Sequence, residues 1–133
     1  MSQRTFTLDE ARDLLPRLRS LLTELRVERD RLLAMQPQIN RARKKSELDG
    51  GSAYGALYLD SAFKFAEALE SVEGIGVVVK DLNVGLIDFP CEHEGRIVYL
   101  CWKPDEDELT HWHEVDDGFA GRRPIGENFE KAN

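Results

Sequence analysis

IGVVVKDLNVGLIDFPCEHEGRIVYLCW, residues Ile75 to Trp102, is the stretch in which apolar side chains fall into a period of two and β-branched residues become frequent. That period is the signature of strands with one buried face. Strands are expected over 76–80, 84–89 and 96–102, with a fourth over 108–114. The connections Asp81-Leu82-Asn83, Glu92-His93-Glu94-Gly95 and Lys103-Pro104-Asp105-Glu106-Asp107 are short and rich in turn formers, which favours hairpins over crossovers. If strands two and three meet at the His93-Glu94 turn, Ile87 lies opposite Leu100 and Phe89 opposite Val98. One face of the meander then carries Val77, Val79, Ile87, Phe89, Val98, Leu100 and Trp102. The other carries Asp88, Ile97, Tyr99 and Cys101.

Toward the N-terminus the period changes to that of a helix. Thr7 followed by Glu10 forms a capping box, opening a short helix from Leu8 to Leu15. Pro16 either kinks that helix or begins the next. Leu14, Leu18, Leu21, Leu25, Glu28, Leu32, Met35 and Ile39 alternate spacings of four and three, the seam of a packed helix, interrupted only by Glu28. Pro37 marks a second kink or restart. Asp49-Gly50-Gly51-Ser52 is a turn between helices. A second helix runs from about Ala53 to Val72, with a stripe of Tyr54, Leu57, Tyr58, Ala62, Phe65, Leu69 and Val72. The two are antiparallel neighbours of unequal length, roughly 48 Å against 30 Å at 1.5 Å per residue. The apolar stretch Leu18 to Leu25 therefore needs cover from the sheet, the short N-terminal helix or a second copy of the chain. The expected architecture is α+β: a long antiparallel helical hairpin packed on a four-stranded antiparallel meander. Residues 1–125 form one domain, with the hairpin over 7–73, the meander over 75–115 and a closing loop over 116–125. A loose tail covers 126–133.

The chain has 133 residues, within the range of one domain, and 41% of them are hydrophobic. Its longest apolar runs fall far short of the ~20 residues that span a bilayer. Met1 to Thr5 leads straight into a charged segment, so no secretion signal is expected. Up to Leu48 there are 11 basic and 7 acidic residues; beyond it, 7 basic and 18 acidic. The net charge of −7 makes a poor general partner for phosphate backbones. The one basic cluster, Arg41, Arg43, Lys44 and Lys45, reads as a solvated helix end. In the expected register Cys91 and Cys101 are more than ~10 Å apart, too far for a disulfide. Two free thiols and a cytoplasmic location are expected.

The segments TLDEARDLLPRL (Thr7 to Leu18), GLIDFP (Gly85 to Pro90), LCW (Leu100 to Trp102), WHE (Trp112 to Glu114) and GFAGRRPI (Gly118 to Ile125) together resemble the prokaryotic family called domain of unknown function 2203. The resemblance covers most of the chain, to about Ile125. It implies a small soluble bacterial or archaeal protein and implies no activity. Asp88, Trp102, Trp112, His113 and Arg122 match positions associated with that pattern and make a candidate functional face; His111 does not.

Three constellations carry possible chemistry. His111 and His113 alternate on a strand and converge on one face, as a pair of metal ligands does. Asp88, Cys101, Glu92, His93 and Glu114 are the available further ligands. Register decides: if Trp102 pairs with Leu109 the histidines face the apolar layer, and a one-residue slip puts them beside Asp88 and Cys101. The acidic loop Asp105-Glu106-Asp107-Glu108 lacks calcium-loop spacing and reads as a solvated hairpin tip. Gly118 to Pro124 offers Arg122 either to an anion or, as favoured here, to Asp88 or Glu114 as a tie between tail and sheet.

No sequence feature supports an assembled catalytic triad, and no cofactor is called for. The leading expectation is a non-enzymatic interaction or scaffold module, homodimeric through the Leu18–Ile39 stripe. The alternative is a protein, or a hydrolase, holding zinc or another divalent transition metal through His113 with His111, Asp88 or Cys101. A nucleic-acid-associated regulator is third.

Overall fold

The computed structural model describes residues 4–49, 53–127 and 129, and their side chains except those of 42–49 and 53–54. Helix α1 spans Leu8–Asp49 and α2 spans Ala53–Ile75. Strands β1 (Val78–Asp81), β2 (Leu86–His93), β3 (Arg96–Trp102), β4 (His111–Glu114) and β5 (Arg123–Pro124) follow. They form one antiparallel sheet in the order β1-β2-β3-β4-β5. The class is α+β, a helical hairpin packing on an antiparallel sheet. The two-residue β5 was not expected, because Arg123-Pro124 has no alternation to announce it. The interhelical turn at Gly50 to Ser52 and the side chains of Arg43, Lys44, Lys45 and Tyr54 lie outside the described residues.

The capping box forms as read. The Glu10 amide donates to Thr7 Oγ1 at 3.1 Å, and the Thr7 amide donates to Glu10 Oε1 at 2.8 Å. Neither proline ends a helix: Pro16 and Pro37 both lie inside α1. An internal proline removes one helical hydrogen bond. Around Pro16 the loss is offset by burial, since Ala11, Leu15, Leu18, Leu22 and Leu25 on both sides of it belong to a single core. Fully burying each leucine contributes about 1.5–3 kcal/mol.

That core answers the length mismatch. Leu18, Leu22 and Leu25 are completely buried, together with Ile87, Phe89, Val98, Leu100 and Trp102 from the sheet. The sheet covers the stretch that the sequence left unpartnered. This part of the Leu18–Ile39 stripe is therefore not available to a second copy, and the expected dimer interface has no support there. Glu28, the polar interruption of the stripe, is buried and meets Arg31 at 3.1 Å.

Strands β2 and β3 pair with Ile87 opposite Trp102, Phe89 opposite Leu100 and Cys91 opposite Val98. The expected register was two residues off. Glu94 and Gly95 both have positive φ and make a two-residue hairpin turn, where a longer loop was expected. An even shift leaves every side chain on its expected face. Between β3 and β4 the alternative register holds: Cys101 pairs with His111, Tyr99 with His113 and Leu100 with Trp112. This is one residue away from a Trp102–Leu109 pairing, and it turns both histidines away from the helices. Leu109 is instead buried in the core ahead of the strand.

Two edges of the core are closed by segments outside the main elements. Phe6 is buried edge-on to Phe89, with ring centroids 5.4 Å apart, and its amide donates to the Pro90 carbonyl at 2.7 Å. Phe129 is buried against His93 and Trp112, so the tail expected to be loose is pinned at that residue. Among the described residues, no helix is long and apolar enough to cross a membrane.

Candidate metal centre

The sheet face turned away from the helices carries Asp88 on β2, Cys101 on β3 and His113 on β4. Asp88 and Cys101 are direct partners across the β2–β3 ladder. His113 lies across the next ladder, diagonal to Cys101. The alternation of the strands that sends Ile87, Phe89, Leu100 and Trp102 into the core sends these three to the opposite side. All three are buried: Asp88 is 1% exposed, Cys101 0% and His113 2%. One ligand atom from each lies within 4.8 Å of the other two.

His113 is held at both nitrogens. Nδ1 donates to the Glu114 carbonyl at 2.7 Å. A carbonyl can only accept, so Nδ1 carries a proton; in the neutral ring Nε2 then presents a lone pair. Nε2 faces both carboxylate oxygens of Asp88 at 3.1 Å. Lone pairs facing a carboxylate repel unless a cation stands between them, and that cation is either a proton or a metal ion. A backbone carbonyl fixing Nδ1 while Nε2 faces outward is the arrangement that orients a metal-binding histidine. The 3.1 Å separation is close to the ~3.3 Å between two ligands each ~2.0–2.1 Å from a tetrahedral ion.

The thiol of Cys101 is not an activated nucleophile. Burial, and after it the negative charge of Asp88, push its pKa up to about 12. Reactive cysteines are found in the opposite environment, electropositive and partly exposed. A cation beside Asp88 would reverse the effect, because a coordinating thiol loses its proton to the metal.

The other expected site residues go elsewhere. Trp102 and Trp112 are each one position from a site residue and so lie on the helix side. Trp102 is wholly buried and donates from Nε1 to the Glu106 carbonyl at 3.0 Å. The five residues expected to share a functional face are thus split between two faces. His111 is half-buried, with Nδ1 3.0 Å from the Thr110 hydroxyl, and is not part of the cluster. Glu114 is held by Arg96 at 2.6 and 2.8 Å, which keeps its carboxyl below the ordinary range. Glu92 is exposed, and His93 stacks on Phe129 at 4.0 Å.

Arg122 does not meet Asp88. Its guanidinium donates to both oxygens of Glu106, at 2.8 and 2.9 Å, and to the Cys101 carbonyl at 3.1 Å. The 3-10 turn Phe119–Gly121 delivers Arg122 to the far end of β3, while Asp88 is engaged by His113. Arg122 closes the loop after β4 over the Cys101 strand, as a tie between tail and sheet, but through a different carboxylate. Sequence reasoning missed Glu106, which turns inward from what reads as a solvated tip. Its amide also donates to the Lys103 carbonyl at 2.9 Å, and its carboxylate accepts from the Lys103 amide at 3.1 Å. Cys91 and Cys101 are free thiols, as expected, and both are buried.

The family model described as "Uncharacterized conserved protein (DUF2203)" matches residues 4–125. The chain belongs to this family. The match includes both helices, the whole sheet and all three residues of the cluster. No curated protein and no solved structure matches the chain.

Proposed function

We propose that this DUF2203 protein binds a divalent transition metal, of which zinc is the leading candidate, through Asp88, Cys101 and His113. The observation that carries the reading is the convergence of a carboxylate, a thiol and an imidazole, from three adjacent strands, in a buried cluster whose imidazole already has its tautomer fixed. Nitrogen and sulfur donors suit zinc and its neighbours, whereas magnesium and calcium take oxygen. Three protein ligands leave a fourth position for water or another group. The three ligands are buried, which favours a metal-holding or metal-sensing role over a hydrolase.

Metal analysis of untagged protein is the first test. Near-stoichiometric zinc, nickel, cobalt or iron is expected, with a melting temperature that falls on chelation and recovers on adding the metal back. Protein that carries no metal, and whose melting does not respond to added zinc, would remove the reading. The scaffold reading rested on the Leu18–Ile39 stripe, of which Leu18 and Leu25 are buried beneath the sheet. Of the basic cluster behind the nucleic-acid reading, only Arg41 has a described side chain, and it is exposed.

A further inference from the structure

Helix α2 is apolar on two opposite sides. Its inner side, with Ser61, Ala68 and Val72 buried, packs on α1. On its outer side Ala56, Leu59, Phe63 and Ala66 recur at spacings of three, four and three, and all four are exposed. Leu59 is 69% exposed and Phe63 66%. A helix facing solvent presents a polar back; one apolar on both sides is covered on both sides.

We propose that this outer stripe is a homodimer interface in which two copies of the chain pair their second helices antiparallel. Read from either end, the stripe runs small, large, large, small. Two-fold pairing lays the same patch against itself in the opposite sense. Leu59 then meets Phe63 of the second copy, and Ala56 meets Ala66, so bulk fills the centre and small residues let the helices approach at the ends. A partner of unrelated sequence gives no reason for that symmetry. The four side chains of the stripe are uncharged, and the exposed Glu67 and Glu70 border its Ala66 end. Self-repulsion by a chain of net charge −7 is screened by salt, so pairing should strengthen as salt is added. Four side chains along ~15 Å of helix make a smaller patch than the roughly 20–30 residues a side of a standard interface, so the dimer should dissociate on dilution.

The test is sedimentation velocity on the full chain in chelator, which separates this interface from any metal effect. A monomer–dimer equilibrium is expected over about 1–100 µM. The Leu59→Glu, Phe63→Glu double variant should be monomeric throughout that range, with unchanged circular dichroism, and should melt like the wild type at dilutions where the wild type is itself monomeric, because both side chains are exposed. Mixed Leu59→Cys and Phe63→Cys chains should form a disulfide-linked heterodimer faster than either forms a homodimer. A wild-type monomer at about 100 µM, a dimer that survives the double substitution, or faster cross-linking of Leu59→Cys with itself would overturn the proposal.

Discussion

The two faces of the sheet are built from the same strands and do opposite things. On the helix side, Ile87, Phe89, Val98, Leu100 and Trp102 are fully buried and apolar. On the other side, residues one position away along the same strands place Asp88, Cys101 and His113 in an equally dry setting. Burial rewards the first group and penalises the second, because polar groups taken from water need partners. Three ionisable side chains are thus kept dry one residue away from the apolar core along the same strands. The difference between the faces is open to perturbation.

The largest effect belongs to the helix side. Trp102→Ala empties the centre of the core and removes the Nε1 bond to Glu106. It should cost about 3–5 kcal/mol in denaturant unfolding. An effect below about 1 kcal/mol would mean that the two faces do not divide the work in this way.

On the polar face, signs should depend on whether a partner remains. In metal-free protein, Asp88→Leu or His113→Leu alone strands a buried polar group and should cost about 3–5 kcal/mol. The double variant should cost less than the sum, since two apolar side chains need no partner. Additive losses would show that the pair is not coupled. Arg122 and Glu106 form a smaller clamp at the edge of this face. Glu106→Gln should cost about 1.5–3 kcal/mol and loosen the 115–122 loop, which backbone amide exchange would detect. Unchanged exchange there would remove Arg122 as the tie.

The smallest effect lies outside both faces. Hydrogen bonds from the backbone and hydroxyl of Thr7 hold the Glu10 carboxyl below its ordinary range. A lowered carboxyl pKa in the folded state adds stability that is present above the ordinary value and lost as pH falls through the lowered one. Glu10→Gln should therefore lower stability slightly at neutral pH, converge on wild type below the lowered pKa, and so flatten the acid limb of the stability–pH curve. An acid limb identical to wild type would show that the capping box contributes nothing through charge.

Much of this was legible in the sequence, for identifiable reasons. The capping box at Thr7 and Glu10 is local chemistry, and the period change after Ile75 reports which side chains are buried. The two-residue error at the β2–β3 turn did no harm, because alternation survives even shifts. The single-residue choice between β3 and β4 could not be made from the strands themselves, and it determined whether His113 joined the core or Asp88 and Cys101. Pro16 stayed open to two readings because propensity is local, while the leucines on both sides of it are secured by tertiary packing. Arg122 found Glu106 instead of Asp88 because loop paths leave no periodic trace. Leu59 and Phe63 were overlooked because the inner stripe of α2 was sufficient to explain the helix.

Cobalt(II) titration of metal-free protein decides whether Asp88, Cys101 and His113 hold a metal. Cobalt reports thiolate ligation by a charge-transfer absorption. Saturation at one equivalent, the charge-transfer band, and release of a proton from a thiol that stays protonated at neutral pH without metal are expected. Cys101→Ser should abolish the band, and His113→Gln should weaken binding. Titration without a charge-transfer band, or a band that persists in Cys101→Ser, would show that these three residues are not a metal site.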